Sequence, residues 1–266
     1  MSVMLKLVKK AARKVFGLFG ITPSQVKILY KAQYRNKRLL SDLKKYNSMN
    51  TRPEFHASTK NLYPCVNEWD APAGSLSYYF WQDLWAAKKI FQAKPKSHYD
   101  IGSRVDGFIA HILSFMPVTM IDIRPLPQKV NGLNFIQADA TNLEGITDDS
   151  IISLSSLCAP EHFGLGRYGD PIDPEACFKA LKSMQRVLSR GGHLYISVPV
   201  GEFSGVAFNA HRIFKPDLII ETLDKLKLVD FALCEGSDFT EHADYKSIKG
   251  IDYGGNVAGF FEFVKE

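Results

Sequence analysis

The stretch "SHYDIGSRVDGF", residues 97–108, decides how the chain is read. Its first half is a short segment that reads as a strand closed by Asp100. Gly102 and Ser103 then make a tight turn into a helix beginning near Val105 to Gly107. Glycine lacks a Cβ and tolerates positive φ, so backbone there can approach a ligand closely. Taken alone, the turn is either a cradle whose N–H groups hold a ligand at the head of a helix or a plain strand-to-helix connection. The surrounding sequence has to discriminate.

Working outward, short apolar segments alternate with helical patterns. Strands are expected at "SHYDI", "VTMIDI", "NFIQA", "SIISLSSL", "HLYISVPV", "KLVDFALCEG" and "VAGFFEFVKE". Helical spacing appears in "RVDGFIAHILSF", in "EACFKALKSMQRVLSR" and, before the first strand, in "SLSYYFWQDLWAAKKIFQ", where Ser75 or Ser77 is the expected N-cap. Such alternation predicts an α/β fold, a doubly wound, seven-stranded, mostly parallel sheet with helices on both faces. In that architecture ligands sit beyond the carboxyl ends of the strands, where the strand order reverses. Asp100, Asp122 and Asp139 stand at three successive strand ends, the second 22 residues after the first. A carboxylate at Asp122 suits ribose hydroxyls, and one at Asp139 suits an adenine amino group. Each aspartate has an alternative role as N-cap of the helix that follows.

In order along the chain, "HYDIGSRVDG", "TMIDI", "FIQADAT" and "MQRVLSRGGHLYISVP" resemble the motifs of class I S-adenosylmethionine-dependent methyltransferases, over roughly residues 76–266. The resemblance implies the Rossmann-like methyltransferase fold, S-adenosylmethionine as cofactor, and Asp100, Gly102, Ser103, Arg104, Asp122, Asp139 and Ala140 as its binding residues. The family's opening pattern is an acidic residue followed by alternating glycines. Asp100 and Gly102 match it, whereas Arg104 and Asp106 occupy the next two glycine positions, marking a divergent branch. Side chains in that turn either crowd the cofactor's methionine portion or, through Arg104, pair with its carboxylate in charge-assisted hydrogen bonds. Gly191 and Gly192 are expected to stop the preceding helix in a left-handed cap, with Arg186 and Arg190 complementing its dipole.

The longest polar insertion, "SSLCAPEHFGLGRYGDPIDPEA", follows the fourth strand, where substrate-binding loops belong. Its Glu161 and His162 resemble the "EH" pair of many small-molecule methyltransferases, with Arg167, Tyr168, Asp170 and Asp173 following. "AFNAHRIFKPD" adds His211 and Arg212 after the fifth strand. The candidate catalytic residues are His162, Glu161 and His211, because imidazole titrates near neutral pH and suits a general base toward a hydroxyl acceptor. His162 alternatively stabilises its loop, and His111 reads as a packing histidine. His162, Asp170, Asp173 and His211 lack the tight spacing of a metal site, and none is expected.

The chain has 266 residues, enough for one sizeable core. Cys65, Cys158, Cys177 and Cys234 are scattered, indicating neither a zinc knuckle nor a disulfide framework and fitting a cytoplasmic setting. Residues 1–60 hold 14 Lys/Arg against 2 Asp/Glu, leaving the remainder acidic. Residues 1–75 therefore read as a basic helical extension and connector, and residues 76–266 as the α/β domain. In the extension, Leu5, Val8, Ala12, Val15 and Phe19 make an apolar stripe among Lys6, Lys9, Lys10, Arg13 and Lys14. The segment is too short and charged to span a bilayer. It suits peripheral attachment of residues 3–19 to an anionic membrane surface, or docking on its own domain. A second helix is expected through Leu29, Tyr30, Tyr34, Leu39, Leu40 and Leu43. No stacking pattern of aromatics accompanies the basic residues, so no nucleic-acid partner is expected.

Three functions are compatible. The first is methyl transfer to a small-molecule or glycan-like acceptor, including surface-polysaccharide or lipid-linked sugar assembly. The second is a catalytically inactive methyltransferase-like module that binds ligand or partner. The third, a nicotinamide oxidoreductase, lacks the full GxGxxG turn and leaves Asp139 without a role.

Overall fold

The computed structural model describes residues 23–74 and 76–266, with side chains described from residue 36 onward. The amphipathic segment 3–19 and Ser75 lie outside the described residues. The chain divides into two compact units, Met1–Gly74 and Ser75–Glu266.

In the first unit, helix α1 (Pro23–Met49) spans the second basic stretch, with proline in the first turn, where its missing N–H is harmless. Beyond it the chain folds back in two short 3₁₀ turns. The Asn47 amide holds the backbone of Ala57 from both sides, at 2.8 and 3.0 Å, and Arg38 lies 4.3 Å from the Trp69 ring.

The second unit opens with helix α2 (Tyr78–Ala93). Ser77 is its N-cap by position, but its side chain makes no capping bond. There follow β1 (His98–Ile101), a kinked turn leading into α3 (Ala110–Leu113), β2 (Val118–Asp122), β3 (Leu133–Gln137), β4 (Ile151–Leu157), α4 (Ala176–Val187) and β5 (Leu188–Pro199). Next come a small hairpin, β6 (Gly205–Ala207) and β7 (His211–Ile213), then α5 (Pro216–Thr222), β8 (Leu226–Glu235), β9 (Asp238–Thr240) and β10 (Val257–Lys265). The main sheet has the order β3-β2-β1-β4-β5-β10-β8-β9. Strands β1 to β5 are parallel, and β10 runs antiparallel between β5 and β8. The seven expected strands are all present. The eighth, β9, is a three-residue return against β8. The order reverses between β1 and β4, so the ligand crevice belongs beyond Ile101 and Leu157.

Helices cover both faces, as a parallel sheet requires. Cys177, Ala180, Leu181, Met184 and Val187 of α4 pack with Ile219 and Leu223 on one side. Trp85, Ala86 and Ile90 of α2 pack with Ile109 and Ile112 on the other.

One sequence expectation is corrected here. Gly191 and Gly192 do not cap α4, which already ends at Val187 with Leu188 extended. Strand β5 starts at once, and its pairing with β4 shifts register between Ile151 and Ser153. Gly191, at φ +72°, turns the chain there. A Cβ on Gly192 would come within 2.8–3.1 Å of three carbonyl oxygens. The helix end is instead held by Lys265 of β10, whose Nζ donates to the carbonyls of Gln185 and Leu188 at 2.9 and 2.7 Å. Arg186 reaches the carbonyls of Asn142 and Ile146 in the loop after β3, rather than those of its own helix.

Candidate functional site

A cavity of about 560 Å³ opens at the strand ends where the order reverses. One wall is the β1 turn with the ends of β2 and β3, contributing Gly102, Ser103, Arg104, Asp122, Ile123, Asp139 and Ala140. The opposite wall is the loop after β4, contributing Cys158, Ala159, His162, Phe163 and Tyr168. Tyr79 of α2 closes one side.

The β1 turn is held from beneath. Asp100 is fully buried and does not line the cavity. Its carboxylate accepts the Ser103 N–H at 3.0 Å, the Ser103 hydroxyl at 2.7 Å and the Ser155 hydroxyl at 2.5 Å. Burial outweighs these bonds and raises its pKa to about 6. The expectation that Asp100 contacts a ligand is therefore corrected: it is buried beneath the turn, with three of its four acceptor positions taken by Ser103 and Ser155. The network continues into the sheet, where the buried His98 bridges Ser155 at 3.0 Å and Ser153 at 2.9 Å. Because Ser155 donates to Asp100, it must accept from His98 Nε2–H. That fixes the tautomer and leaves Nδ1 to accept from Ser153. Burial lowers the His98 pKa to about 3, keeping it neutral.

Gly102, at φ +73°, faces Ala159 across the crevice, where an added Cβ would meet that residue's methyl at 3.0 Å. Arg104 points to the rim, and its guanidinium pairs with Asp106 at 2.9 Å and lies 5.6 Å from the Tyr79 ring. Thus the two residues at glycine positions neutralise each other. Gly107 is the glycine the bend requires, because a Cβ there would lie 2.7 Å from Asp83 Oδ2.

Asp122 is nearly buried at the lip of β2. It accepts the backbone N–H, Nε and Nη2 of Arg124 at 2.8, 3.0 and 2.7 Å. The Arg124 guanidinium lies 4.5 Å from the centroid of Tyr168, on the opposite wall. Asp139 uses one oxygen to accept the Thr141 N–H at 2.8 Å, and its other oxygen takes no hydrogen bond from the described residues. Ile123, Leu126, Phe135 and Ala140 supply the apolar flanks of this end.

On the loop wall, Cys158 adopts φ +45°, uncommon for a non-glycine residue, and turns the chain from β4 into the short helical turn Pro160–His162. His162 Nδ1 lies 2.7 Å from the Ala210 carbonyl and is therefore its protonated nitrogen. Nε2 keeps a lone pair. Burial lowers the ring's pKa to about 4, so it is neutral at pH 7. Glu161 is buried behind it, its Oε1 3.6 Å from His162 Nε2, beyond hydrogen-bonding distance. Burial raises the Glu161 pKa to about 8, and Oε2 has no partner. Glu161 does not line the cavity.

His211 is not brought to the cavity either. Its ring packs against Gly255, and its buried Nε2 is unpartnered. The expected role at the cavity wall is corrected, because pairing of β6 with β7 turns this residue toward the loop before β10. Its neighbours are the ones that matter. Ala210 orients His162, and Arg212 donates to the carbonyls of Phe163 and Pro174 at 2.6 and 3.2 Å, bracing the loop. Asp170 accepts the N–H groups of Gly164 and Tyr168, and Asp173 binds Lys179. Among the described residues no group of His, Cys, Asp and Glu is arranged to hold a metal ion.

Sequence reasoning missed Tyr79 and Arg124 as site residues. Arg124 had a readable signal, standing two positions beyond the strand-end Asp122. Tyr79 had none, since it reaches the cavity from a helix that precedes the first strand.

Comparison with known proteins identifies the fold. The domain has the Rossmann-like fold of class I S-adenosylmethionine-dependent methyltransferases. It is similar to a Galdieria sulphuraria protein described as a candidate sarcosine dimethylglycine methyltransferase, with 14% identity and a TM-score of 0.50 over 69% of this chain and 85% of that one. It is also similar to the 1,6-didemethyltoxoflavin-N1-methyltransferase of Burkholderia thailandensis, solved with 1,6-didemethyltoxoflavin and S-adenosylhomocysteine (17% identity, 69% and 78% coverage, TM-score 0.48). A third match is the N-methyltransferase NodS of Bradyrhizobium japonicum WM9 in complex with S-adenosylhomocysteine (12% identity, 71% and 88% coverage, TM-score 0.48). Residues 140–223 match the model of a family described as Caenorhabditis protein of unknown function, DUF268. No curated protein matches the sequence.

Proposed function

We propose that the chain is an S-adenosylmethionine-dependent methyltransferase acting on a small-molecule or glycan-like acceptor. The observation that carries this is the convergence of Asp122, Asp139 and the Gly102–Ser103 turn on one cavity whose opposite wall carries a neutral, oriented His162. The donor set fits the cofactor. Asp122 suits the ribose diol, the unengaged oxygen of Asp139 suits an adenine amino group, and Ile123, Leu126 and Phe135 provide apolar contact for the base. Beside them, Ser103 and Arg104 suit the methionine portion.

When bound, S-adenosylmethionine supplies a methyl group on a sulfonium, which needs in-line positioning of the acceptor more than covalent help. The chain's part is to hold the two reactants and exclude water. For a hydroxyl acceptor, His162 Nε2 takes the proton while Nδ1–H remains on the Ala210 carbonyl. Glu161, kept protonated by burial, leaves that corner of the site uncharged.

One observation favours a second function, ligand or partner binding without catalysis: two of the opening motif's glycine positions carry the Arg104–Asp106 ion pair instead. Native mass spectrometry of the purified protein, followed by a methyl-transfer assay, separates the candidates. Retention of S-adenosylmethionine or S-adenosylhomocysteine with turnover supports the proposal. The same ligand without turnover on any acceptor supports the binding module, and a retained nicotinamide dinucleotide overturns both.

The same proposal includes peripheral attachment of residues 3–19 to anionic membranes, as suits work on surface glycans or lipid-linked sugars. Among the described residues no helix is long and apolar enough to cross a membrane. Attachment through residues 3–19 predicts salt-sensitive co-sedimentation with anionic vesicles that is lost on deleting residues 1–20. Equal sedimentation of both chains would remove this segment as the anchor.

A further inference from the structure

Asp122 and Arg124 raise a problem of acceptor capacity. A carboxylate oxygen has two lone pairs to offer. Oδ1 of Asp122 already accepts two bonds, from the backbone N–H and Nε of Arg124, while Oδ2 accepts one, from Nη2. A vicinal diol held by a carboxylate needs one free position on each oxygen. With Arg124 parked as it is, only Oδ2 has one. The backbone N–H cannot leave without remaking the turn, but the side chain can, because it is 47% exposed and water is ready to take its charge.

Arg124 also spans the cavity. Its guanidinium lies 4.5 Å from the Tyr168 centroid, and the Tyr168 ring meets His162 edge-on with centroids 5.6 Å apart. The ion pair on one wall and the ring contact on the other are therefore made by one guanidinium, and Tyr168 connects that group to the histidine assigned to proton transfer.

We infer that Arg124 is a specificity-determining latch on the ribose subsite: a ligand's vicinal diol takes both oxygens of Asp122 only by displacing the Arg124 side chain, which at the same time releases Tyr168 beside His162. This rests on Asp122 being the ribose acceptor. A ligand with one hydroxyl uses the spare position on Oδ2 and leaves the latch in place. Arg124 thus sets how much the site gains from the second hydroxyl, and it couples occupation of the strand-end wall to the packing of the loop wall.

Calorimetry with S-adenosylhomocysteine and its 2′-deoxy analogue tests this on the full chain. Releasing an ion pair and a ring contact of this exposure corresponds to about a five- to thirtyfold change in binding. Arg124→Ala is therefore expected to tighten S-adenosylhomocysteine by that factor and to change the 2′-deoxy analogue less than about twofold. Tyr168→Leu is expected to tighten S-adenosylhomocysteine by a smaller factor in the native background and to add nothing in Arg124→Ala, since both changes open the same latch. Weaker or unchanged binding of S-adenosylhomocysteine by Arg124→Ala, with the native chain binding it, overturns the latch and leaves the ribose assignment standing. Absence of binding by the native chain and every variant overturns the ribose assignment, and the latch with it.

Discussion

The strand-end wall of the cavity and the loop wall facing it are held by different kinds of contact. On the strand-end wall most partners lie close by in sequence, Asp100 with Ser103, Asp122 with Arg124 and Asp139 with Thr141, the distant exception being Ser155 on Asp100. On the loop wall the partners come from far along the chain, with His162 held by Ala210, 48 residues away, and Phe163 by Arg212, 49 residues away. The first wall is a set of local turns repeated at parallel strand ends. The second exists only because the β6–β7 hairpin folds onto the loop after β4. The proposed function assigns ligand binding to the first wall and proton chemistry to the second, so damage to one should leave the other measurable.

The largest expected effect is on the loop wall. His162→Ala should lower turnover on a hydroxyl acceptor by about 10² to 10⁴, the range for losing a positioned proton acceptor, with cofactor affinity nearly intact. Steady-state kinetics beside calorimetry checks this. Loss of affinity together with turnover would mean that the two walls are not separable. Full turnover would reduce His162 to a loop residue.

On the strand-end wall, Ser155→Ala should cost stability. It leaves His98 Nε2–H without its acceptor and removes one donor from Asp100, both in the buried interior. An orphaned buried group costs about 1 to 3 kcal/mol, which at about 2–4 °C per kcal/mol is a fall in Tm of about 2 to 12 °C. A Tm within about 1 °C of the native chain would show that the relay under the β1 turn is not required.

A smaller effect concerns pH. Glu161 ionises near 4.5 when unfolded, whereas burial raises its pKa to about 8 in the folded chain. The folded state holds the extra proton across that window, so this contribution to stability is present below 4.5 and is lost as pH rises through 8. His162 has the opposite sign. Its pKa falls from 6.5 to about 4, so its contribution is full above 6.5 and is lost as pH falls through 4. Between pH 6.5 and 8.5 the native Tm should therefore decline, and Glu161→Gln should flatten that decline. Identical slopes in thermal melts of both proteins would place the titration elsewhere.

The same contrast explains what could be read from the sequence. The strands, their mostly parallel arrangement and the three strand-end aspartates were legible because each depends on local pattern. Asp100 was nonetheless misassigned as a ligand contact, since Ser155, which takes its second oxygen, lies 55 residues away on β4. Gly191 and Gly192 looked like a helix cap, but their role is set by the β4–β5 register shift, a tertiary feature. The position of His162 on the cavity was legible from its place after the fourth strand. His211 was chosen by the same logic and missed, because the short hairpin pairing that aims it at Gly255 leaves no periodic signal in three-residue strands. Tyr79 needed the packing of α2 against the sheet.

The most direct measurement is the affinity of S-adenosylhomocysteine for the native chain and for Asp122→Ala. Removing the carboxylate deletes charged hydrogen bonds of about 1.5 to 3 kcal/mol, so binding to the native chain should weaken about tenfold to a hundredfold in the variant. Equal affinity in the two proteins, or no binding by the native chain, would contradict a nucleoside site at the ends of β1, β2 and β3.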